Sequence, residues 1–428
     1  MSLKRVPVPV TEATRPLALE VPTLRFPEFS SCWKNARLAD IVVGGFSNGV
    51  FNDPAKVGSG YRLINVKDMY LSGTINSNNL ERVAISENEF RKNVAKIGDI
   101  FFTRSSLVKE GIAYSNVLLE ELDDITYDGH LIKMSVDQNI FDSFFLHNLL
   151  KTDSARRQLV ARGKTGTMTT IGQDDLSSVK LTYPALPEQQ KIADFLGAVD
   201  TRVGLLRRRR DALKSYKKGM MQRLFSQSLR FTKADGTAFP DWQEKRLGEV
   251  LTEHGERSSG AERVHSVSVH KGVIDQIEHL GRSFSAANTD HYSLVKPGDV
   301  IYTKSPTGDF PFGIIKQSRL TINVIVSPLY GVFSPETKAL GYILNEHFLS
   351  VKNTHNYLHQ LVQKGAKNTI NITNQGFLQG KLKLPIDPEE QQKIADTLTA
   401  LDTKIDAVTA QMDAMLRFKK GLLQQMFV

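Results

Sequence analysis

Two segments of the chain carry apolar residues at alternating spacings of three and four, the pattern of a long amphipathic helix. The period averages about 3.5 residues over roughly five heptads, which is typical of a coiled-coil seam rather than of a helix on a globular core. A helix of about 40 residues would be a rod of roughly 60 Å. The predicted seam residues are Ile192, Leu196, Val199, Val203, Leu206 and Leu213, then Ile394, Leu398, Leu401, Ile405, Val408 and Met412. Two amphipathic helices within a helical bundle are the alternative interpretation.

Outside these segments, short β-like runs alternate with turn residues and with helical patterns. The predicted strands are residues 41–43, 61–66, 99–103, 300–303 and 321–327. Helical stretches are predicted over residues 141–162 and 340–363. The pattern therefore predicts an α+β architecture, in which two mixed α/β domains with mainly antiparallel strands are joined by the two long helices.

The two helical segments are copies of one another. Residues 189–225 align without a gap to residues 391–427, with 17 identical residues in 37 positions. This duplication predicts two globular halves, each followed by one copy of the helix. The predicted boundaries are an N-terminal extension at 1–23, globular domains at 24–185 and 229–385, and long helices at 186–228 and 386–428.

Shorter anchors repeat inside the globular halves. A Lys-x-Gly-Asp motif leads to Thr-Arg-Ser at residues 103–105 and to Thr-Lys-Ser at residues 303–305. Between the anchors, residues 48–89 and 255–289 look unrelated. The repeated motifs and helices are therefore predicted to form a duplicated frame. The inserts between the motifs have diverged.

The two helical segments differ in charge. Residues 186–230 contain eleven basic and four acidic residues, a net charge of +7, and residues 387–428 contain five basic and seven acidic residues, a net charge of −2. Segments of opposite charge with matching seams can pair within one chain. Antiparallel pairing is favoured because a globular half separates the segments and returns the chain. The expected arrangement is two domains at opposite ends of a rod, related by a pseudo-twofold axis.

The overall charge gives weak evidence about the partner. The 428 residues carry a formal charge of +9, with a sequence pI near 9.3, which favours an acidic partner such as nucleic acid. The helical segments hold +5 of this charge (+7 and −2), which leaves +4 for both domains and the extension. The single cysteine, Cys32, excludes an internal disulfide framework. No apolar run approaches the roughly 18 residues of a membrane span, so we expect a soluble, cytoplasmic protein.

The sequence lacks the motifs of an active site. Gly-Lys-Thr at residues 163–165 resembles the end of a phosphate-binding loop, but Gln158 stands where that loop requires glycine. Asp-Phe-Pro-Phe at residues 309–312 resembles the motif of amino-methyltransferases, but it lacks the paired prolines. His265 and His270 have no neighbouring carboxylate motif. We therefore predict that this chain carries no catalytic residue, no metal and no cofactor.

Three motifs resemble those of specificity subunits of type I restriction–modification systems. They are the helix entry PxLPEQQKIAxxL at residues 184–196, its second copy at 384–398, and the LRFPxF…W…L opening at 24–38. The resemblance covers essentially the whole chain, and it implies a noncatalytic subunit with two target recognition domains. Each domain would read one half of an interrupted double-stranded DNA sequence.

The resemblance also implies partners. The two helices would set the spacing between the half-sites and would dock two methyltransferase subunits. The complex would methylate adenine with S-adenosylmethionine, and added motor–nuclease subunits would cleave unmodified DNA. Two other hypotheses are a single-chain methyltransferase or nuclease with similar recognition domains, and a coiled-coil scaffold without sequence-specific DNA binding. The first would need catalytic motifs that the sequence lacks, and the second would show no preference for one DNA sequence.

Candidate DNA contacts lie where cations and hydroxyl residues follow a predicted strand or a glycine. Those after the strands are phosphate or base contacts, or else solvated loop ends. The glycine-rich runs at 163–170 and 365–371 could bring backbone N–H groups close to a phosphate, or could cap the preceding helices. The candidates are Arg104, Ser105, Lys164, Thr165, Thr167, Lys304, Ser305, Lys367, Asn368, Thr369, Tyr61 and Arg62.

Overall fold

A computed structural model describes residues 21–428 apart from residues 52, 72, 283–287 and 365–369. The chain divides into two compact units. Unit 1 contains the residues up to Arg207 together with Ala410–Val428, and unit 2 contains Arg208–Thr409. Each unit therefore holds one globular domain, the first part of one long helix and the last part of the other.

Unit 1 alternates strands and short helices before the first long helix. The strands are β1 (Lys34–Arg37), β2 (Val42–Asn48), β3 (Val57–Ile64), β4 (Glu81–Val83), β5 (Ile100–Thr103), β6 (Ser105–Ser106), β7 (Ser115–Val117), β8 (Ile125–Tyr127), β9 (Leu131–Val136), β10 (Lys164–Thr165), β11 (Thr169–Thr170) and β12 (Lys180–Tyr183). The helices are α1 (Leu38–Ile41), α2 (Glu87–Lys92), α3 (Ser143–Leu149), α4 (Asp153–Arg162), α5 (Gln173–Ser177) and the long helix α6 (Leu186–Phe225).

A four-stranded antiparallel sheet in the order β2–β9–β5–β7 forms the centre of unit 1. Ile100, Phe102 and Ile132 from this sheet share one core with Phe145 of α3 and Leu159 of α4, and all five are buried. Each such side chain contributes about 1.5–3 kcal/mol through its removal from water. A separate sheet in the order β4–β3–β8, with β3 and β8 parallel, forms the insert.

Unit 2 repeats this succession of elements. Its strands are β13 (Gln243–Arg246), β14 (Leu251–Glu253), β15 (His265–Ser268), β16 (Gly272–Asp275), β17 (Ser293–Val295), β18 (Val300–Tyr302), β19 (Ile315–Gln317), β20 (Val324–Val326), β21 (Gly331–Pro335), β22 (Gln363–Lys364), β23 (Ile370–Asn371) and β24 (Lys381–Leu384). Its helices are α7 (Gln276–Leu280), α8 (Lys338–His347), α9 (Val351–His359), α10 (Asn374–Gln379) and the long helix α11 (Pro388–Gln425).

The central sheet of unit 2 has the order β14–β21–β18–β19 and is antiparallel throughout. Taken in their order across the sheet, these strands correspond one for one to β2, β9, β5 and β7 of unit 1. The inserts differ, because unit 2 has the separate pairs β15–β16 and β17–β20 where unit 1 has the β4–β3–β8 sheet. The prediction of two mixed α and β domains on a duplicated frame is confirmed.

The repeated Lys-x-Gly-Asp motif builds the same turn in both units. Its glycines have φ values of +88° and +99°, a region that favours glycine because a Cβ is strained there. The carboxylate of Asp99 accepts hydrogen bonds from the backbone N–H three residues earlier and from the hydroxyl of Ser135. Asp299 makes the same bonds, with Ser334 in place of Ser135. The motif is therefore a structural turn that starts β5 and β18.

Each of the two helical stretches predicted for the domains is divided into two helices. Residues 141–162 form α3 and α4, and residues 340–363 include α8 and α9. The interruptions are at Thr152 and Ser350, whose hydroxyls accept the backbone N–H three residues later as N-caps of the second helix. Ile41, predicted to begin a strand, is instead the last residue of α1.

Each long helix begins with a buried glutamate that is paired with an arginine. Glu188 accepts hydrogen bonds from Nε and a terminal nitrogen of Arg25, both at 2.7 Å. Glu390 accepts from Arg230 at 3.2–3.4 Å. In both units the glutamine that follows the glutamate donates to the carbonyl of a proline before the helix at 2.9 Å. The repeated Pro-x-x-Pro segment and the Glu-Gln pair that follows it therefore fasten each helix to its own domain.

Within unit 1, the two helix segments run antiparallel. The ammonium group of Lys419, near the end of α11, donates to both carboxylate oxygens of Asp200 at 2.7 Å. Gln425, the last residue of α11, accepts a hydrogen bond from the N–H of Leu24 at 2.9 Å. The residue after Leu24 is bound to the first turn of α6, so the end of α11 lies beside the start of α6.

The same pairing occurs within unit 2. The ammonium group of Lys217, near the end of α6, donates to Asp402 at 2.6 Å. Arg230, five residues after the end of α6, is bound to Glu390 in the first turn of α11. The 202-residue repeat relates Lys217 to Lys419 and Asp402 to Asp200, so both ion pairs occupy equivalent positions.

Eleven of the twelve predicted seam residues are buried, and Leu213 is half-buried. Close to Leu213, the buried position on α6 is taken by Lys217 instead. A buried lysine therefore follows the last predicted seam residue of α6, within unit 2.

Candidate nucleic-acid interface

One end of the central sheet of unit 1 brings together candidate residues that are 60 positions apart in the sequence. Strand β5 ends at Thr103, and the next residue, Arg104, donates its N–H to the carbonyl of His130 at 3.0 Å. Beyond Arg104, β6 pairs with β11, and β11 pairs with β10, in a small three-stranded sheet. Ser105 lies opposite Thr170 in this sheet. Arg104 and Ser105 therefore lie beside the hairpin that carries Lys164 and Thr165.

The hairpin of β10 and β11 follows α4 directly. Lys164 is opposite Thr170, Thr165 is opposite Thr169, and Thr167 is exposed in the connecting turn. Gly163 is the C-cap of α4 with φ −62° and ψ 123°, so it is not in the left-handed conformation of a typical glycine C-cap. A Cβ added to Gly163 would lie 2.8 Å from the methyl group of Thr169. The glycine is required by this close approach of the hairpin.

The cations of this surface have different surroundings. Arg104 is exposed, and Lys164 is exposed but lies 3.0 Å from the carboxylate of Asp175. Burial alone would raise the pKa of Asp175, but the N–H of Gly172 and the ammonium of Lys164 outweigh it and hold that pKa below its ordinary value. Asp175 is therefore charged at neutral pH, and a phosphate that bound Lys164 would compete with it.

Two other candidates, Tyr61 and Arg62, lie in the insert sheet instead. The ring of Tyr61 stacks on Phe90 with 3.8 Å between centroids, and Arg62 is 2.6 Å from the carboxylate of Asp124. These contacts hold β3 against its neighbours. The hydrogen-bonded ladder that joins the other candidates of unit 1 does not include these two residues.

In unit 2, Lys304 and Ser305 follow β18 at the corresponding end of the central sheet. Lys304 has a φ of +60°, and a Cβ on Gly313 would lie 2.8 Å from its backbone nitrogen. Burial lowers the pKa of Lys304, and Glu253 partly offsets this effect. Ser305 is exposed. Lys304 is therefore a half-buried cation, unlike the exposed Arg104 of unit 1.

The second glycine-rich run of unit 2 is only partly described. Strands β22 and β23 pair antiparallel, as β10 and β11 do in unit 1. The candidates Lys367, Asn368 and Thr369 lie outside the described residues, so their DNA contacts stay predictions.

Sequence reasoning missed several exposed residues at this end of unit 1. The backbone carbonyl of His130 accepts the N–H of Arg104, and the ring of His130 lies 2.8 Å from the carboxylate of Asp128. Leu107 and Val108 follow β6, and their side chains are 85% and 62% exposed. Two adjacent apolar residues between Ser-Ser and Lys-Glu were a signal in the sequence, because such residues are seldom left in water on a turn.

The described residues form no metal-binding cluster, no membrane-spanning helix and no phosphate-binding loop at Lys164. Among residues 21–428, outside the gaps, no group of three or more His, Cys, Asp or Glu side chains is placed to hold a metal ion. Over the same residues, no helix combines the length and the apolar character needed to cross a membrane. Lys164 lies in strand β10 after a helix, whereas a phosphate-binding loop would put this lysine at the start of a helix.

The comparisons with known proteins agree with this duplicated architecture. The family model described as type I restriction modification DNA specificity domain matches twice, at residues 33–215 and 240–414. The MjaX specificity subunit of a type I restriction enzyme from Methanocaldococcus jannaschii is 23% identical over 420 residues, which cover 92% of this chain and 93% of that protein. The MjaVIII specificity subunit from the same organism is 23% identical over 316 residues, 68% of this chain and 71% of that protein.

Solved structures show the same fold. The S subunit of a type I restriction-modification system from M. genitalium superposes with a TM-score of 0.58 at 14% identity, covering 95% of this chain and 99% of that chain. A chain from a structure of type I R-M complex assembly has a TM-score of 0.51 at 16% identity, covering 92% and 97%. The family model matches well over half of the chain and one copy falls on each domain, so the chain belongs to the type I restriction modification DNA specificity family, as a specificity subunit with two target recognition domains.

Proposed function

We propose that this chain reads an interrupted DNA sequence, with one half-site bound by each unit. The observation that carries the proposal is the pair of equivalent central sheets whose ends bear different loops. Arg104 and Ser105 follow β5 in unit 1, and Lys304 and Ser305 follow β18 in unit 2. A common frame with different loops is the arrangement expected of two domains that read different base edges, because base contacts specify the sequence.

The two long helices are proposed to set the gap between the half-sites and to dock two methyltransferase subunits. Helix α6 carries the basic run Arg207–Arg210, in which Arg208 and Arg209 are exposed and Arg210 is 2.8 Å from Asp211. In the proposed complex the partner subunits use S-adenosylmethionine to methylate adenine, and motor–nuclease subunits add cleavage of unmodified DNA. This chain contributes recognition and positioning, and it carries no catalytic step.

Selection of DNA from a random duplex pool tests the reading function. The full chain is mixed with its cognate methyltransferase subunit, and bound duplexes are recovered and sequenced at a stated salt concentration, because salt weakens all phosphate contacts. We expect two short conserved half-sites separated by a gap of fixed length. Arg104→Ala should relax only one half-site and Lys304→Ala only the other. Recovery of random sequences with the partner present would refute the proposal.

A second experiment tests the helices as a ruler. Four residues are inserted after Arg207 and four after Thr409, because these positions leave the ion pairs Lys419–Asp200 and Lys217–Asp402 intact within their units. Four helical residues add about 6 Å, which corresponds to roughly two base pairs at 3.4 Å each. We expect unchanged half-sites with a gap longer by about two base pairs. An unchanged gap would mean that the helices do not set the spacing.

A further inference from the structure

The three-stranded sheet of unit 1 ends in an exposed apolar ridge formed by Leu107, Val108 and Met168. Their side chains are 85%, 62% and 40% exposed. The ladder pairs Ser106 with Thr169, and the next position beyond it is Leu107 on one strand and Met168 on the other. Apolar residues of this size cost free energy in water, so a cluster on a loop tip indicates a surface that becomes covered by a partner.

The ridge is held in a fixed conformation from below. The guanidinium of Arg156, in α4, donates to the carbonyls of Glu110, Ile112 and Ala113, each at 2.7 Å. The hydroxyl of Ser106 accepts the N–H of Val108 at 3.3 Å. Ala113 has a φ of +49°, an uncommon conformation for a residue with a Cβ. Arg156 therefore holds residues 110–113, which follow Leu107 and Val108, against α4.

The fit of the hairpin adds to this rigidity. A Cβ on Gly163 would lie 2.8 Å from the methyl of Thr169 and 3.1 Å from that of Ile112, so the hairpin packs tightly onto the loop. A Cβ on Gly111 would lie 2.5 Å from the hydroxyl of Ser106. Both ends of the ridge are therefore fixed by close packing, and little conformational freedom would be lost when a partner covers it.

The exposed cations around the ridge favour a polyanion as its occupant. Arg104, Lys109 and Lys164 are exposed beside it, against the carboxylates of Glu110 and Asp175. Duplex DNA provides phosphates for the cations and, between the phosphates, apolar groups on the base edges.

The width of the two-stranded element that carries the ridge favours the major groove of DNA over the minor groove. The major groove is about 12 Å wide and admits a two-stranded β-ribbon, whereas the minor groove is about 6 Å wide. The ridge is carried by the adjacent strands β6 and β11 and their loops. The apolar group that bases display in the major groove is the C5-methyl of thymine.

We propose that Leu107, supported by Val108 and Met168, reads the C5-methyl group of a thymine in the half-site bound by unit 1. The proposal rests on the proposed function, because it needs unit 1 to bind its half-site. Leu107 adds an aliphatic contact to the polar contacts expected from Arg104 and Ser105. The base property that the loop detects is the methyl group of thymine.

The experiment uses synthetic duplexes that carry the selected bipartite sequence. Each thymine of the unit 1 half-site is replaced in turn by deoxyuridine, which differs only by the absence of the methyl group, and binding by the full complex is measured. At one position the wild-type chain should bind the uracil duplex about three- to fivefold more weakly, the effect expected for one buried methyl group. Leu107→Ala should bind the thymine duplex about five- to tenfold more weakly and show no difference between thymine and uracil at that position.

Leu119→Ala is the matched control. Leu119 is 38% exposed and lies next to the turn at the opposite end of β5, so its truncation should leave both affinity and the thymine preference unchanged. Leu107→Met should keep most of the preference, because a long apolar side chain still reaches the methyl group. The proposal is overturned if the wild-type chain does not distinguish thymine from uracil anywhere in this half-site, if the half-site contains no thymine, or if Leu107→Ala keeps the preference. Failure of the proposed function looks different, because then neither half-site is selected.

Discussion

The strongest stability prediction concerns Lys217, which joins two carboxylates inside unit 2. Its ammonium group is 2.7 Å from Glu346 and 2.6 Å from Asp402. The side chain of Lys217 is 10% exposed and that of Glu346 is fully buried. Arg319 reaches the same two carboxylates at 2.8 and 3.1 Å, and the hydroxyl of Tyr342 donates to Asp402 at 2.8 Å. Two cations therefore bind two anions directly, and the buried Lys316 lies near Glu346 as a third cation.

The internal repeat provides a matched site in unit 1. Lys419 is bound to Asp200, and their side chains are 18% and 29% exposed. The domain contributes Lys151 near this pair. Burial, and then the charge of Lys419, lowers the pKa of Lys151 to about 8, and Asp200 partly offsets them. Lys419 therefore has one carboxylate partner and an unfavourable cationic neighbour, whereas Lys217 has two carboxylate partners.

Lys217→Met should lower the free energy of unfolding of unit 2 by about 3–5 kcal/mol, because removal of one partner leaves the charge of Glu346 buried and only partly compensated. Methionine keeps the length of the side chain, so the loss is mainly electrostatic. Lys419→Met should cost less, about 1.5–3 kcal/mol for hydrogen bonds to a charged group, and the relief of repulsion on Lys151 reduces that cost further. The informative result is that Lys217→Met should destabilise unit 2 more than Lys419→Met destabilises unit 1.

The two tryptophans allow each unit to be measured separately. Trp33 is in unit 1 and Trp242 is in unit 2, and both are buried. Lys217→Met is therefore made in a Trp33→Phe background and Lys419→Met in a Trp242→Phe background, and urea unfolding is followed by tryptophan fluorescence. Separate signals are needed because a chain with two units need not unfold in one step. An equal or larger loss for Lys419→Met would refute the argument from buried charge.

Three further predictions concern single residues. Burial, and then the nearby cations Lys151 and Lys419, holds the pKa of His147 well below its ordinary value of 6.5. The unfolded chain therefore binds a proton that the folded chain does not, and the stability of unit 1 should fall as pH falls below about 6.5; His147→Phe should reduce this slope in Trp33 unfolding curves between pH 7 and 5. Gly163→Ala places a Cβ 2.8 Å from the methyl of Thr169, so it should weaken DNA binding through the hairpin while the Trp33 transition shifts by no more than about 1–2 kcal/mol. Gly380→Ala places a Cβ 2.4 Å from the ring of Tyr357, so it should destabilise unit 2 by about 1–3 kcal/mol, which the Trp242 transition would report; an unchanged midpoint would contradict this packing.

Features that depend on local pattern or on the repeat were predictable from the sequence. The long helices follow from the apolar period, and the turns before β5 and β18 follow from the repeated Gly-Asp. The interruptions at Thr152 and Ser350 were not found, because the apolar residues continue across them and a single hydroxyl decides the break. Hydroxyl N-caps compete with the helix only where the tertiary fold bends the chain.

The candidate site was predictable only in part, because its strands are two residues long. A pair such as Ser105–Ser106 and Thr169–Thr170 has too few residues to show a period, so its pairing depends on where α4 and β5 end. The burial of Lys217 was also invisible, because its partner Glu346 lies 129 positions away and belongs to a different element. Long-range polar pairing leaves no trace in a local pattern.

The repeat also separates residues of the frame from residues that read DNA. Residues that are identical in both copies, such as Asp99 and Asp299, are engaged in bonds within their own unit. The loops after β5 and β18 start alike and then differ in chemistry at equivalent positions, where Leu107 corresponds to Thr307 and Lys109 to Asp309. An aliphatic residue beside a cation and a hydroxyl beside a carboxylate cannot prefer the same base edges. We therefore expect two half-sites of different sequence, and the difference should reside in these loop positions rather than in the cations that precede them.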